Sequence, residues 1–174
     1  EVFKDCVIGT LRIPKKSAQR LPQLSFVFCL TEQSLLFIED TGDLKLWAEK
    51  QMSMLQELST PAQLLLQFME QMIDDDVLEA ETEKMEEHIS ADDSKDFFAS
   101  LTKYRQKLSE LNAYYEQLTD IGELFQSPAC SAFVHDAQDW DKYIHRAERL
   151  QNHVQLIREN MLQLRELYQS KQDA

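Results

Sequence analysis

Glycine and proline are scarce: three and four residues in a chain of 174. Few points can therefore turn or stop a regular element, and helix is the expected dominant structure. Cysteine is also sparse. Cys6, Cys29 and Cys130 are odd in number, distant in sequence and in no Cys-x-x-Cys arrangement, which argues against a disulfide framework or a zinc site and favours a reducing compartment. Cations are outnumbered, with Lys plus Arg at 18 against 31 for Asp plus Glu and a net charge of −13. Phosphate backbones need clustered cations, so nucleic acid is excluded as a natural partner. There is no signal peptide and no apolar run long enough to span a bilayer.

What the chain does have is heptads. Phe133, Trp140, Ala147, Val154, Met161 and Tyr168 recur every seven residues, and Tyr143, Leu150, Ile157 and Leu164 follow three residues after members of that set. Asp136 alone breaks the pattern. The run from Phe133 to Ala174 contains neither Gly nor Pro and as a helix would extend roughly 60 Å, against a radius of gyration of about 16 Å for a compact fold of this length. It reads as a coiled-coil-like stalk. Its tail, Tyr-Gln-Ser-Lys-Gln-Asp-Ala, carries no stop signal, so the expectation is a chain cut inside a helix.

Upstream, Val2-Phe3, Val7-Ile8 and Leu11-Arg12-Ile13 are followed by two β-rich runs, Ser25 to Leu30 and Leu35 to Ile38, joined through Thr31-Glu32-Gln33-Ser34. One strand and a hairpin are predicted, apolar on both faces as if each side should be covered. Asp40-Thr41-Gly42-Asp43 turns into a short helical pattern from Leu44 to Leu55. Thr60-Pro61 opens a first long helix, with a stripe from Leu65 through Phe68, Met69, Met72, Ile73, Val77, Leu78 and Met85 to Ile89. Phe97, Leu101, Tyr104, Leu108, Leu111, Tyr115, Leu118 and Phe125 mark a second, closed by Ser127-Pro128. Strict sevens impose a left-handed supercoil, so the long helices should lie nearly parallel or antiparallel. The fold class is α+β: a partial three-stranded sheet, a short helix and three long helices. Residues 1–58 are expected to form a partial α/β subdomain and residues 59–174 a helical hairpin plus stalk.

Charge is concentrated between Glu70 and Asp93, where eleven acids face the single cation Lys84. A solvated helix face is the bland explanation; the sharper one is a surface for hard divalent cations, which take oxygen ligands. Successive Asp74, Asp75 and Asp76 cannot share one helix face. Catalytic constellations are missing. No His lies three residues after a Glu, and there is no His-Glu-x-x-His, phosphate-cradling Gly loop or Gly-x-Ser-x-Gly. Asp141 and His145, one turn apart, read first as a surface pair beside Arg149, and Cys130 near His135 lacks a third group to orient a base. The chain is not expected to be an enzyme and calls for no cofactor.

Several strings in order resemble the cytoplasmic part of the CorA family of divalent-cation transporters. Phe3-Lys4-Asp5-Cys6-Val7-Ile8-Gly9-Thr10-Leu11-Arg12-Ile13-Pro14 looks like the family's strand, Phe26 to Glu39 like its hairpin and Thr41-Gly42-Asp43 like the turn that follows. The segment Pro61 to Asp76 is similar to the helix with two Asp after an aliphatic stretch. Leu101 to Phe125, around Arg105-Gln106-Lys107-Leu108, resembles the return helix, and Trp140 to Lys171 the stalk, with its ending at Leu164, Leu167, Tyr168 and Ser170.

The resemblance implies a homopentamer at the cytoplasmic face of the cell membrane, joined to it through a transmembrane region after the stalk. Mg²⁺, or one of Co²⁺, Ni²⁺ and Zn²⁺, would be cargo and regulatory ion, and high cytoplasmic Mg²⁺ would close the pore. The family's pore and its Gly-Met-Asn mouth are not in this sequence. Asp74 and Asp75 match its paired acids. Its regulatory site uses an acid upstream of Glu1 and a stalk Asp, whose place here is taken by His145. Imidazole suits Zn²⁺, Ni²⁺ or Co²⁺ better than Mg²⁺. From the residues alone, a cytosolic coiled-coil adaptor with a small β cap is the alternative.

Overall fold

The computed structural model describes residues 1–14, 23–52, 60–73, 82–84, 87 and 97–172. Strands β1 (Val7–Ile13), β2 (Leu24–Leu30) and β3 (Leu35–Ile38) form an antiparallel sheet in the order β1-β2-β3. Val2 adds only an isolated bridge to Val7. Thr31 folds the hairpin: its hydroxyl accepts from the Gln33 and Ser34 amides, at 3.2 and 2.9 Å, and so closes the turn with a side chain.

Side chains alternate across the sheet, and among the described residues one face is buried and the other largely exposed. Val7, Leu11, Ile13, Leu24, Phe26, Phe28 and Leu30 are buried, while Leu36 and Ile38 on the other face are 57% and 61% exposed. The sequence expectation of cover on both sides is met on one. Gly9 pairs with Phe28 in the register, and the Phe28 ring occupies the space where a Gly9 Cβ would stand. The same ring reaches Phe125, at a centroid distance of 6.1 Å.

Glu39 starts α1 (Asp43–Met52) by accepting from the Lys45 amide and the Thr41 hydroxyl. Helix α2 (Pro61–Met72) has the anticipated start, with Thr60 and Gln63 closing a reciprocal capping box. The backbone at Ile73 is extended. Val77, Leu78, Met85 and Ile89 of the expected stripe, together with Met54 and Leu55, lie outside the described residues.

Helices α3 (Phe97–Gln126) and α4 (Ala137–Gln172) are the long elements. The last helix begins four residues later than its heptads suggest. A 3₁₀ turn at Pro128–Cys130 and the bonds from the Phe133 and Val134 amides to the Cys130 carbonyl hold a compact corner, so Phe133 fills the first heptad position from a turn. Asp136, the residue that broke the pattern, lies just before Ala137.

The two helices are antiparallel, and ring pairs fix their register. Phe97 stacks on Tyr168 at 4.1 Å and Phe125 on Trp140 at 4.5 Å, while Gly122 faces Tyr143 and Ile144. The same register sets Leu118 opposite Ala147 and Leu111 opposite Val154, all buried. Gln117 of α3 binds the edge of β1, accepting from the Arg12 amide and donating to its carbonyl, so that edge is covered by a side chain.

A Cβ on Gly122 would stand 2.5 Å from Cγ1 of Ile144 and 3.2 Å from Cδ1 of Tyr143. Gly122→Leu should therefore lower stability by about 1–3 kcal/mol through overpacking, whereas Gly122→Ala regains up to about 1 kcal/mol in helix propensity and should cost less. Urea midpoints of the two variants test this; an unchanged midpoint for Gly122→Leu would contradict the close approach.

Candidate functional site

The acidic run begins where α2 ends, and that end is held firmly. Four carbonyls at a helix C-terminus lack intrahelical partners, and cationic donors suit them electrostatically. Arg146 of α4 donates through Nη1 to the Glu70 carbonyl, at 3.4 Å, and through Nη2 to that of Ile73, at 3.2 Å. From α3, the buried Tyr114 hydroxyl donates to the Met72 carbonyl at 3.1 Å. Near the other end of α2, Gln63 Nε2 donates to Asp136 Oδ2 at 3.1 Å. Helix α2 therefore runs parallel to the first turns of α4, fixed near both ends.

Glu70 sits in this junction. Burial raises its carboxyl above the ordinary range, with Asp139 adding to the shift and Arg146 and Lys142 opposing it. Tyr143 lies deeper. Burial pushes its phenol well up, and Tyr114 and Glu70 act in the same direction. The Tyr143 hydroxyl has no hydrogen-bond partner among the described residues, a state that costs free energy in a dry interior.

His145 follows in sequence but faces solvent. Its Nδ1 lies 2.8 Å from the Asp141 carbonyl and 3.6 Å from Asp141 Oδ1. The backbone bond raises the imidazole pKa, the Asp141 charge adds to it, desolvation opposes, and Glu148 contributes further. An Nδ1–H donated to a carbonyl leaves Nε2 as the nitrogen able to meet a metal, the usual arrangement of a ligating histidine. Among the described residues no three His, Cys, Asp or Glu form a group able to hold a metal ion. Asp74 and Asp75 lie outside the described residues. The turn of α4 bearing His145 also bears Arg146, whose guanidinium holds the residue preceding Asp74.

The weak nucleophile reading at Cys130 has no geometric support. Cys130 is fully buried and His135 exposed, and burial raises the thiol above its ordinary value, with Ser127 opposing; such a thiol is inert. Cys6 and Cys29, distant in sequence, come together across the sheet. Besides burial, the charge of Cys29 and a hydrogen bond to it raise the Cys6 thiol.

This chain matches the family model described as CorA-like Mg2+ transporter protein over residues 1–174. It belongs to the CorA-like Mg²⁺ transporter family. No curated protein matches it. Membership relates the CorA-like chain to divalent-cation transporters and fits a non-enzymatic role. Among the described residues, no helix is long and apolar enough to cross a membrane. The junction residues Glu70, Tyr114 and Arg146 escaped the sequence reading because each lies beside or within a stripe read as core or as surface. Only the placement of Arg146 one residue before the stripe member Ala147 hinted at a flanking contact.

Two titrations and a pair of variants test this geometry. The folded pKa of His145 lies above its ordinary 6.5, so its stabilising interaction is fully present below 6.5 and is lost as pH rises through the higher value. NMR titration should show the raised value; Asp141→Asn should lower it only in part, because the backbone carbonyl remains. Tyr143→Phe removes a hydroxyl without a partner among the described residues and should leave stability unchanged or raise it by about 1 kcal/mol, whereas Tyr114→Phe removes the buried hydrogen bond to the Met72 carbonyl and should cost about 1 kcal/mol. Equal losses in the two variants, read by thermal melting, would contradict the assignment.

Proposed function

We propose that this chain is the cytoplasmic sensing and stalk part of a CorA-like divalent-cation transporter, working as a homopentamer at the cytoplasmic face of the membrane. The family match across residues 1–174 carries the reading. In it, residues 1–58 belong to an α/β subdomain, and residues 59–174 form the hairpin and the stalk that leads to the transmembrane region. The distal part of α4 supports this division: Leu156, Leu162, Leu164 and Leu167 are 39–62% exposed, an apolar surface suited to neighbouring stalks.

Mg²⁺, or Co²⁺, Ni²⁺ or Zn²⁺, is the ion sensed and transported. Asp74 and Asp75 supply hard oxygen ligands where the anchored α2 gives way to the acidic run, and a partly hydrated Mg²⁺ needs only one or two such carboxylates. His145 at the family's stalk-acid position shifts preference toward softer ions through Nε2. The adaptor alternative gains no observation from the fold.

Ligand binding selective for the native state raises the thermal midpoint. Millimolar Mg²⁺ should do so here, and Asp74→Ala with Asp75→Ala should abolish the response. Zn²⁺ or Ni²⁺ should act at lower concentration, and that difference should disappear in His145→Asn. A chain whose melting ignores all of these ions would defeat the sensing role while leaving family membership intact.

A further inference from the structure

A groove between α3 and α4 carries a second kind of chemistry. It encloses about 460 Å³ and is lined by Arg105, Ser109, Arg158 and Arg165 over an apolar floor that includes Leu101 and Met161. Among the described residues no carboxylate lines it. In a chain of net charge −13, three arginines around one groove, with no acid among its described lining residues, stand out.

The helical register brings the three together. Arg158 and Arg165 are one heptad apart on α4, about 10 Å along the axis. On the antiparallel partner, the ring pairs at Phe97–Tyr168 and Phe125–Trp140 put Arg105 at a level between them. Three guanidiniums on flexible side chains offer more donors than a single oxyanion can use, whereas a chain of two or three phosphates has oxygens for all three. Guanidinium forks recognise phosphate oxygens in bidentate fashion. The hydroxyls contribute little: Ser109 donates to the Arg105 carbonyl and Thr102 to that of Phe98. Phe98 and the half-exposed Leu162 flank the groove and offer an apolar surface to a planar group.

We infer that this groove binds a nucleoside di- or triphosphate, its phosphates on Arg105, Arg158 and Arg165 and its base against the apolar wall. The site is separate from the cation-sensing residues Asp74, Asp75 and His145, although Leu162 at its rim also belongs to the apolar stalk surface.

Calorimetric titration of the full chain in magnesium-free buffer, with ATP, ADP, pyrophosphate and sulfate at matched ionic strength, tests it. ATP and ADP should bind, pyrophosphate more weakly and sulfate not measurably. Arg158→Gln with Arg165→Gln should weaken ATP by about tenfold or more, the loss typical of charge-assisted bonds, while Lys45→Gln with Lys50→Gln, on α1, should not. Circular dichroism confirms that each variant is folded. Equal responses to ATP and sulfate, retention of ATP binding in the Arg variants, or binding confined to vesicles of anionic phospholipid would each overturn the assignment.

Discussion

Everything in this structure hangs on the seam between α3 and α4. Two helices of thirty and thirty-six residues meet along alternating spacings of three and four, and stacked rings at both ends leave one register. Shape complementarity reinforces it: Gly122 admits Tyr143 and Ile144, and Ala147 faces Leu118. A slip of one turn would set large side chains against large ones, and interiors packed at crystal density do not absorb that. The sheet depends on the same seam, since Phe28 packs on Phe125 and Gln117 satisfies the edge of β1.

The junction at the end of α2 is built differently. The seam is built mainly of apolar side chains, whereas the junction is polar and partly dry, with Arg146 and Tyr114 on helix-end carbonyls. A half-buried Glu70 and an unpartnered Tyr143 hydroxyl sit inside it. Unsatisfied polar groups of this kind are tolerated where surrounding packing fixes them, and they concentrate at sites with roles other than stability. The acidic run of the sequence begins at this junction, with Glu70.

Long-period features were legible in the sequence because periodicity is a local signal. The strand and hairpin, the Thr60 cap, both long heptad helices and the family relation were all readable from patterns in the residues. The start of α4 was misplaced because Phe133 continues the apolar spacing although it sits in a turn; spacing reports burial, not backbone conformation. The approach of Cys6 to Cys29, the anchoring by Arg146 and the three-arginine groove were not legible, since each depends on strand or helix register across tens of residues. Asp74 and Asp75 keep only the standing their sequence position gives them.

Fixing α2 to α4 at two places, Gln63 to Asp136 and Arg146 to Glu70 and Ile73, makes the two a single lever. A rod attached at one point can pivot; attached near both ends to a second rod, it can neither slide nor swing. A turn of α4 about its own axis would carry the α2 terminus sideways, with the radius between the two helix axes as its arm.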